Sequence, residues 1–128
     1  MVVGVGFEPT NIINERIYRA FFYSMSGFKT ALKKEAAFRQ DCMLIAAIFI
    51  STVFFKISYI EVIILIISSA ILLITELLNS AVEWNVDLAT KEIHPLAKGA
   101  KDMGSAAVFV ALANLIVVYC AILFASFF

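Results

Sequence analysis

Residues 62–83 read VIILIISSAILLITELLNSAVE. Across 62–82 the run carries one charge, Glu76. It is long enough for a membrane-spanning helix, which needs about 20 mostly apolar residues. An acidic group at the centre of such a span costs about 2.5–3.5 kcal/mol on insertion scales, so intramembrane carboxylates are usually functional. Glu76 stands about one and a half turns inside the C-terminal end of the run, where the cost is smaller. At 100° per residue, Glu76 and Glu83 differ by about 20° around the helix axis and by about 10 Å along it. Asp87 falls on the same stripe and Asn79 beside it. The stripe reads either as a functional cluster or as an interhelical hydrogen-bond clamp.

Two further apolar stretches flank this one. Residues 38–55 form a short span whose uncharged part begins only at Cys42, and residues 103–128 carry no charge at all. A short turn at 56–61 joins the first two spans. A polar connection at 83–102, with Pro95 and Gly99 as helix breakers, joins the last two. Upstream, Asn14, Tyr18, Phe21, Met25, Phe28 and Leu32 recur at helical spacing, with Arg19, Tyr23, Ser26, Thr30 and Lys33 on another face. This predicts an amphipathic helix over 14–34, lying on the membrane surface or packed on its own bundle. Residues 1–13 are expected to form a disordered leader without the features of a secretory signal.

Composition agrees with a membrane class. Of the 128 residues, 62% are apolar and only 16% charged, against about 25% charged in an ordinary soluble domain. A chain this small cannot cover a water-facing surface with so few polar groups, so a single membrane domain over 1–128 is expected. Ten basic and ten acidic residues cancel, which gives a nucleic-acid partner no electrostatic support. Cys42 and Cys120 sit in apolar runs and read as small membrane-facing or core residues, not as a disulfide or a metal pair. Basic residues gather before the first span and between the last two, while the turn at 56–61 has only Lys56. The positive-inside rule then puts the N-terminus in the cytoplasm and the C-terminus on the far side. A bacterial inner membrane fits. In the trimer that the resemblance given below implies, the small residues Gly104, Ser105, Ala106, Ala107, Ala111 and Ala113 are expected to pack against other helices, with 115–128 looser or lipid-facing.

Two more polar groups fall at the depth of the Glu76 cluster: Glu35, Arg39 and Asp41 at the start of the first span, and Lys101 with Asp102 at the start of the last. Carboxylates and a lysine at one depth suit Mg²⁺ and phosphate oxygens, because Mg²⁺ takes hard oxygen ligands and usually few from protein. A solvated charge belt is the plain alternative for Glu35 and Lys101. The chain has no G-x-x-x-x-G-K-[ST] phosphate loop, and its single histidine, His94, excludes an H-E-x-x-H zinc site. A small non-enzymatic transporter or scaffold subunit using Glu76 as a proton or cation site is a reading of another class. Such a carrier needs no nucleotide-neutralising group at the same depth.

Three stretches, EAAFRQ at 35–40, ELLNSAVE at 76–83 and AKDMGSAA at 100–107, together resemble the prokaryotic diacylglycerol kinase family. That resemblance covers the chain from about Arg16 onward. It implies a homotrimer of three-span subunits, each with an N-terminal surface helix. It also implies Mg²⁺- and ATP-dependent phosphorylation of a lipid hydroxyl at the cytoplasmic interface, in sites shared between subunits. By the same resemblance Glu76 is the general base, Glu35 and Glu83 are the metal carboxylates, and Asn79 supports the site. Arg16, Tyr23, Glu35, Glu83, Glu92, His94, Lys101 and Asp102 are implied nucleotide contacts, and Arg39, Gln40, Asp41, Glu76 and Ser105 are implied lipid-side contacts. The family has a diacylglycerol and an undecaprenol branch. The stretches at 35–40 and 102–107 resemble the diacylglycerol branch, whereas HPLAK at 94–98 resembles the other. The lipid-side stretches point to diacylglycerol, giving phosphatidic acid.

Overall fold

A computed structural model describes residues 9–127, and these form four helices in the order α1 (Pro9–Lys34), α2 (Ala36–Thr52), α3 (Tyr59–Ala89) and α4 (Pro95–Phe127). Among the described residues there is no strand. The leader expected at 1–13 lies partly outside the described residues. The part within them is helical, since α1 already begins at Pro9.

The break between α1 and α2 is a single residue, Glu35, whose extended backbone (φ −101°, ψ 110°) interrupts two helical runs. Arg39 reaches back over this break. Its Nη1 donates to the carbonyl oxygens of Leu32 at 3.1 Å and Lys33 at 3.3 Å, two of the carbonyls that the end of α1 leaves without intrahelical partners. At the other end of α2, a capping box starts α3. The Ser58 hydroxyl accepts from the Glu61 N–H at 3.3 Å, and the Glu61 carboxylate accepts from the Ser58 N–H at 2.6 Å.

α2, α3 and α4 run alternately up, down and up. Contacts at both ends fix this arrangement: Trp84 near the end of α3 meets Glu35 at the start of α2. At the opposite end the Ser51 and Tyr119 hydroxyls share a 2.5 Å hydrogen bond between α2 and α4. The core is a seam. Leu65, Ser68, Ser69, Leu72, Glu76 and Ser80 are the buried residues of α3, and they follow the heptad-like spacing of a stripe facing one partner. α4 answers with Ala111, Leu115 and Ile122, and α2 contributes Ile48. Leu65, Leu72 and Leu115 are fully buried.

This corrects the expectation that 115–128 is the looser part of the last helix. Leu115 and Ile122 belong to the core; Ser105, Ala106 and Ala107 are exposed on the single subunit, on a surface open to the helices of other subunits. Within the subunit, Gly104 and Ala111 are the small residues that lie on the seam. The polar connection expected at 83–102 is also mostly helix. α3 continues to Ala89, and α4 starts at Pro95, the first helical position, where a missing N–H costs nothing. His94 caps it, its Nδ1 accepting the Leu96 N–H at 3.2 Å. Gly99 lies inside α4 in open space and breaks nothing.

The remaining faces are apolar and uncovered. Ile63, Ile66, Ile67, Ile74 and Leu78 on α3, and Phe109, Val110, Val117 and Phe124 on α4, are exposed. Soluble monomers rarely expose contiguous apolar patches above a few hundred Å². α3 and α4 are both long and apolar enough to cross a membrane. The 17 residues of α2 rise only about 26 Å, short of the roughly 30 Å hydrocarbon core. Cys42 and Cys120 are both free thiols.

Candidate functional site

The alternation of α2, α3 and α4 brings the polar residues of three helices to one end of the bundle. Glu76 lies deepest, 3% exposed. It belongs to the same stripe of α3 as Leu65 and Leu72, so the periodicity that builds the seam also carries this carboxylate into it. Asp41 of α2, Glu83 of α3 and Glu35 at the α1–α2 break all lie within electrostatic range of Glu76. Four carboxylates therefore fall at one depth where α2 meets α3, although among the described residues no three of them converge closely enough to hold a metal ion by themselves.

Two neutral side chains organise them. Asn79 donates from Nδ2 to Glu83 Oε1 at 3.3 Å, one helical turn further along. Its amide oxygen is buried without a hydrogen-bond partner and faces α4 at Gly104. A Cβ there would collide with that oxygen and sit 3.3 Å from Asn79 Cγ. Trp84 donates from Nε1 to Glu35 Oε1 at 2.7 Å, and the Lys34 ammonium lies 5.2 Å over its ring. The second oxygen of Glu35 and of Glu83 makes no hydrogen bond among the described residues.

Beyond this cluster, where α3 hands over to α4, opens a cleft of about 550 Å³. Its polar lining includes Asp87, Lys91, Glu92, His94, Lys98 and Lys101. Lys101 pairs with Asp87 at 2.5 Å across the two helices, and Lys98 pairs with Asp102 one turn along α4. A second cleft, about 360 Å³, lies between α1 and α3. Its walls are mainly apolar (Phe28, Ala31, Leu77, Ala81 and Trp84), and Glu35 stands at its edge.

The arrangement has the parts for phosphate chemistry: a buried carboxylate, two carboxylates with open oxygens, and a lysine-bearing polar cleft. Residues 22–123 match the family model described as prokaryotic diacylglycerol kinase. The chain belongs to that family. A diacylglycerol kinase of Pseudomonas aeruginosa is 45% identical over 109 residues, covering 85% of this chain and 89% of the relative. That of Haemophilus influenzae is 45% identical over 102 residues, 80% of this chain and 86% of the relative. The Escherichia coli K12 diacylglycerol kinase is 38% identical over 112 residues, 88% of this chain and 92% of the relative.

The family's implied residues fall into three groups in this fold. Glu35, Asp41, Glu76, Asn79 and Glu83 are brought together around the α2–α3 contact. Glu92, His94 and Lys101 line the polar cleft, and Asp102 is engaged by Lys98. Arg16 and Tyr23 stand exposed on α1, Gln40 on α2 and Ser105 on α4, and none makes a hydrogen bond or ion pair among the described residues. Arg39, an implied lipid contact, is occupied in closing the end of α1.

Sequence reasoning passed over Trp84 and Lys34 and left Asp87 without a partner. Trp84 directly follows Glu83, and a tryptophan near the polar end of a span belongs to the aromatic class enriched at membrane interfaces. That signal could have marked it. Its bond to a residue 49 positions away could not be read from spacing.

Proposed function

We propose that this protein transfers the γ-phosphate of ATP to the free hydroxyl of diacylglycerol, giving phosphatidic acid, at the cytoplasmic face of a bacterial inner membrane. The observation that carries this reading is Glu76. It is a carboxylate held in an apolar seam beside Glu35 and Glu83, in a chain that matches the prokaryotic diacylglycerol kinase family over most of its length.

Phosphoryl transfer asks a protein for positioning and charge neutralisation more than for covalent chemistry. Glu76 accepts the proton of the lipid hydroxyl while its oxygen bonds to the γ-phosphorus and the bond to the ADP oxygen breaks. Glu35 and Glu83 fit a hard divalent cation. Each offers an open oxygen, and Mg²⁺ is commonly held by one or two carboxylates together with substrate phosphates and waters. Bound there, Mg²⁺ supplies neutralisation of phosphate charge. Asn79 fixes the Glu83 carboxylate through its 3.3 Å hydrogen bond.

Lys101, Asp102, Glu92 and His94 serve the nucleotide from the cleft between α3 and α4, with Arg16 and Tyr23 of α1 completing the contact. A triphosphate competes with Asp87 for the Lys101 ammonium. The apolar cleft between α1 and α3 receives an acyl chain, so that the headgroup lies near Glu35 and Glu76. Gln40 and Ser105 meet the lipid from exposed positions, Asp41 meets it from beside Glu76, and Arg39 acts on it by holding the end of α1.

In this account α2 is the third crossing. It runs the length of the seam to Ser51, where it bonds Tyr119, and locally thinned bilayer or flanking residues absorb its shortness. The N-terminus is cytoplasmic and the C-terminus lies on the far side. The exposed apolar faces of α3 and α4 pack in a homotrimer whose subunits share active sites.

The test is a competition assay with purified protein in one bilayer holding diacylglycerol and a C55 polyprenol at equal mole fraction, with limiting Mg-ATP. Diacylglycerol is expected to show the higher kcat/KM. A higher value for the polyprenol would reassign the substrate, and phosphate transfer to neither alcohol would favour a non-enzymatic transporter built around Glu76.

A further inference from the structure

We propose that Trp84 is a positioning residue that fixes the Glu35 carboxylate for the divalent cation, an inference that rests on the metal-binding reading of Glu35 and Glu83 given above. Glu35 sits at the break between two helices, with extended backbone and no side-chain bond to the start of α2. A glutamate in that position has three free torsions and nothing local to restrain it. The restraint comes from α3: the Trp84 indole Nε1–H donates to Glu35 Oε1 at 2.7 Å.

Three features make this bond more than a tether. The indole has one N–H donor and no acceptor, so it can serve only an acceptor and consumes only one carboxylate oxygen. The other stays open. Trp84 also directly follows Glu83 on α3, so the same helical turn carries the Glu35 anchor and the second carboxylate, their side chains about 100° apart around the axis. Finally, Lys34 lies 5.2 Å over the indole ring, a cation–π contact that restrains the ring. Hydrogen bonds that orient a metal ligand from outside its coordination sphere typically change affinity by about 10- to 100-fold when removed.

Trp84→Phe removes the N–H and keeps a ring for Lys34 and for the cleft wall. The test uses full-length protein in nanodiscs without nucleotide, and Mn²⁺ alone as the probe, with free Mn²⁺ followed by electron paramagnetic resonance. Trp84→Phe is expected to bind Mn²⁺ about ten-fold more weakly than the parent, and Glu35→Gln at least as weakly. The Mg²⁺ concentration for half-maximal activity of Trp84→Phe should rise in step. Parental Mn²⁺ affinity in Trp84→Phe, with the loss confined to Glu35→Gln, would overturn the positioning role and leave the metal reading standing. Parental affinity in Glu35→Gln as well would overturn the metal reading itself. Trp84 is the chain's single tryptophan, so a measurement without any variant is available: Mg²⁺ added to the native protein should change indole emission saturably. Emission that Mg²⁺ leaves unchanged would count against the proposal even if Trp84→Phe failed to fold.

Discussion

Asn79 and Gly104 face each other across the α3–α4 seam so closely that a methyl group at position 104 would push the Asn79 amide aside. The same amide holds Glu83 through its nitrogen. The seam and the site are thus coupled through one residue: whatever moves Asn79 away from α4 also releases Glu83. Gly104→Ala should therefore lower stability by about 1–3 kcal/mol, the usual cost of overpacking, and should also raise the Mg²⁺ requirement. Thermal unfolding and a magnesium titration of the same sample check both parts. A destabilised variant with a normal magnesium titration would separate the seam from the site.

Glu35→Gln and Glu83→Gln each keep the shape of the side chain and remove its charge. Both should raise the Mg²⁺ concentration needed for half-maximal transfer, and chelation of Mg²⁺ should stop transfer in the parent. Unchanged titrations in both variants would dismiss the metal assignment.

Lys101 tests the cleft. Its ion pair with Asp87 is well exposed, at 39% and 64% for the two side chains, and exposed pairs contribute about 0–1 kcal/mol to stability. A charge-assisted contact to phosphate is stronger. Lys101→Ala should therefore leave the unfolding midpoint nearly unmoved while raising the KM for ATP about ten-fold or more. An unchanged KM would remove Lys101 from the nucleotide site.

Leu115 tests the seam alone. It is fully buried between α4 and its neighbours, so Leu115→Ala should cost about 2–5 kcal/mol. Equilibrium unfolding in mixed micelles measures it. No loss would mean that the second half of α4 faces lipid, as its sequence suggests.

What the sequence made readable and what it hid follow from the range of the forces involved. The stripe of Glu76, Glu83 and Asp87 was visible because helical periodicity is local, and the long apolar runs announce α3 and α4 directly. Helix ends were harder. Pro95 signals a boundary, but whether it ends a helix or opens one depends on the His94 cap beside it. The face of α4 that packs within the subunit depends on which residues the partner helix offers, so the burial of Leu115 could not be read from α4 alone. Trp84, Lys34 and the cap formed by Arg39 act between segments that only the assembled bundle brings together. Their residue types gave a hint at most.

Everything proposed for the site turns on Glu76 as the base for phosphoryl transfer to a lipid hydroxyl. Single-turnover transfer from radiolabelled Mg-ATP to diacylglycerol, comparing the parent with Glu76→Gln at saturating nucleotide, tests it most directly. General-base catalysis is typically worth about 10²–10⁴-fold. Glu76→Gln should lose transfer by that order while its nucleotide affinity stays near the parent's. A Glu76→Gln variant that transfers phosphate at close to the parental rate would contradict the account.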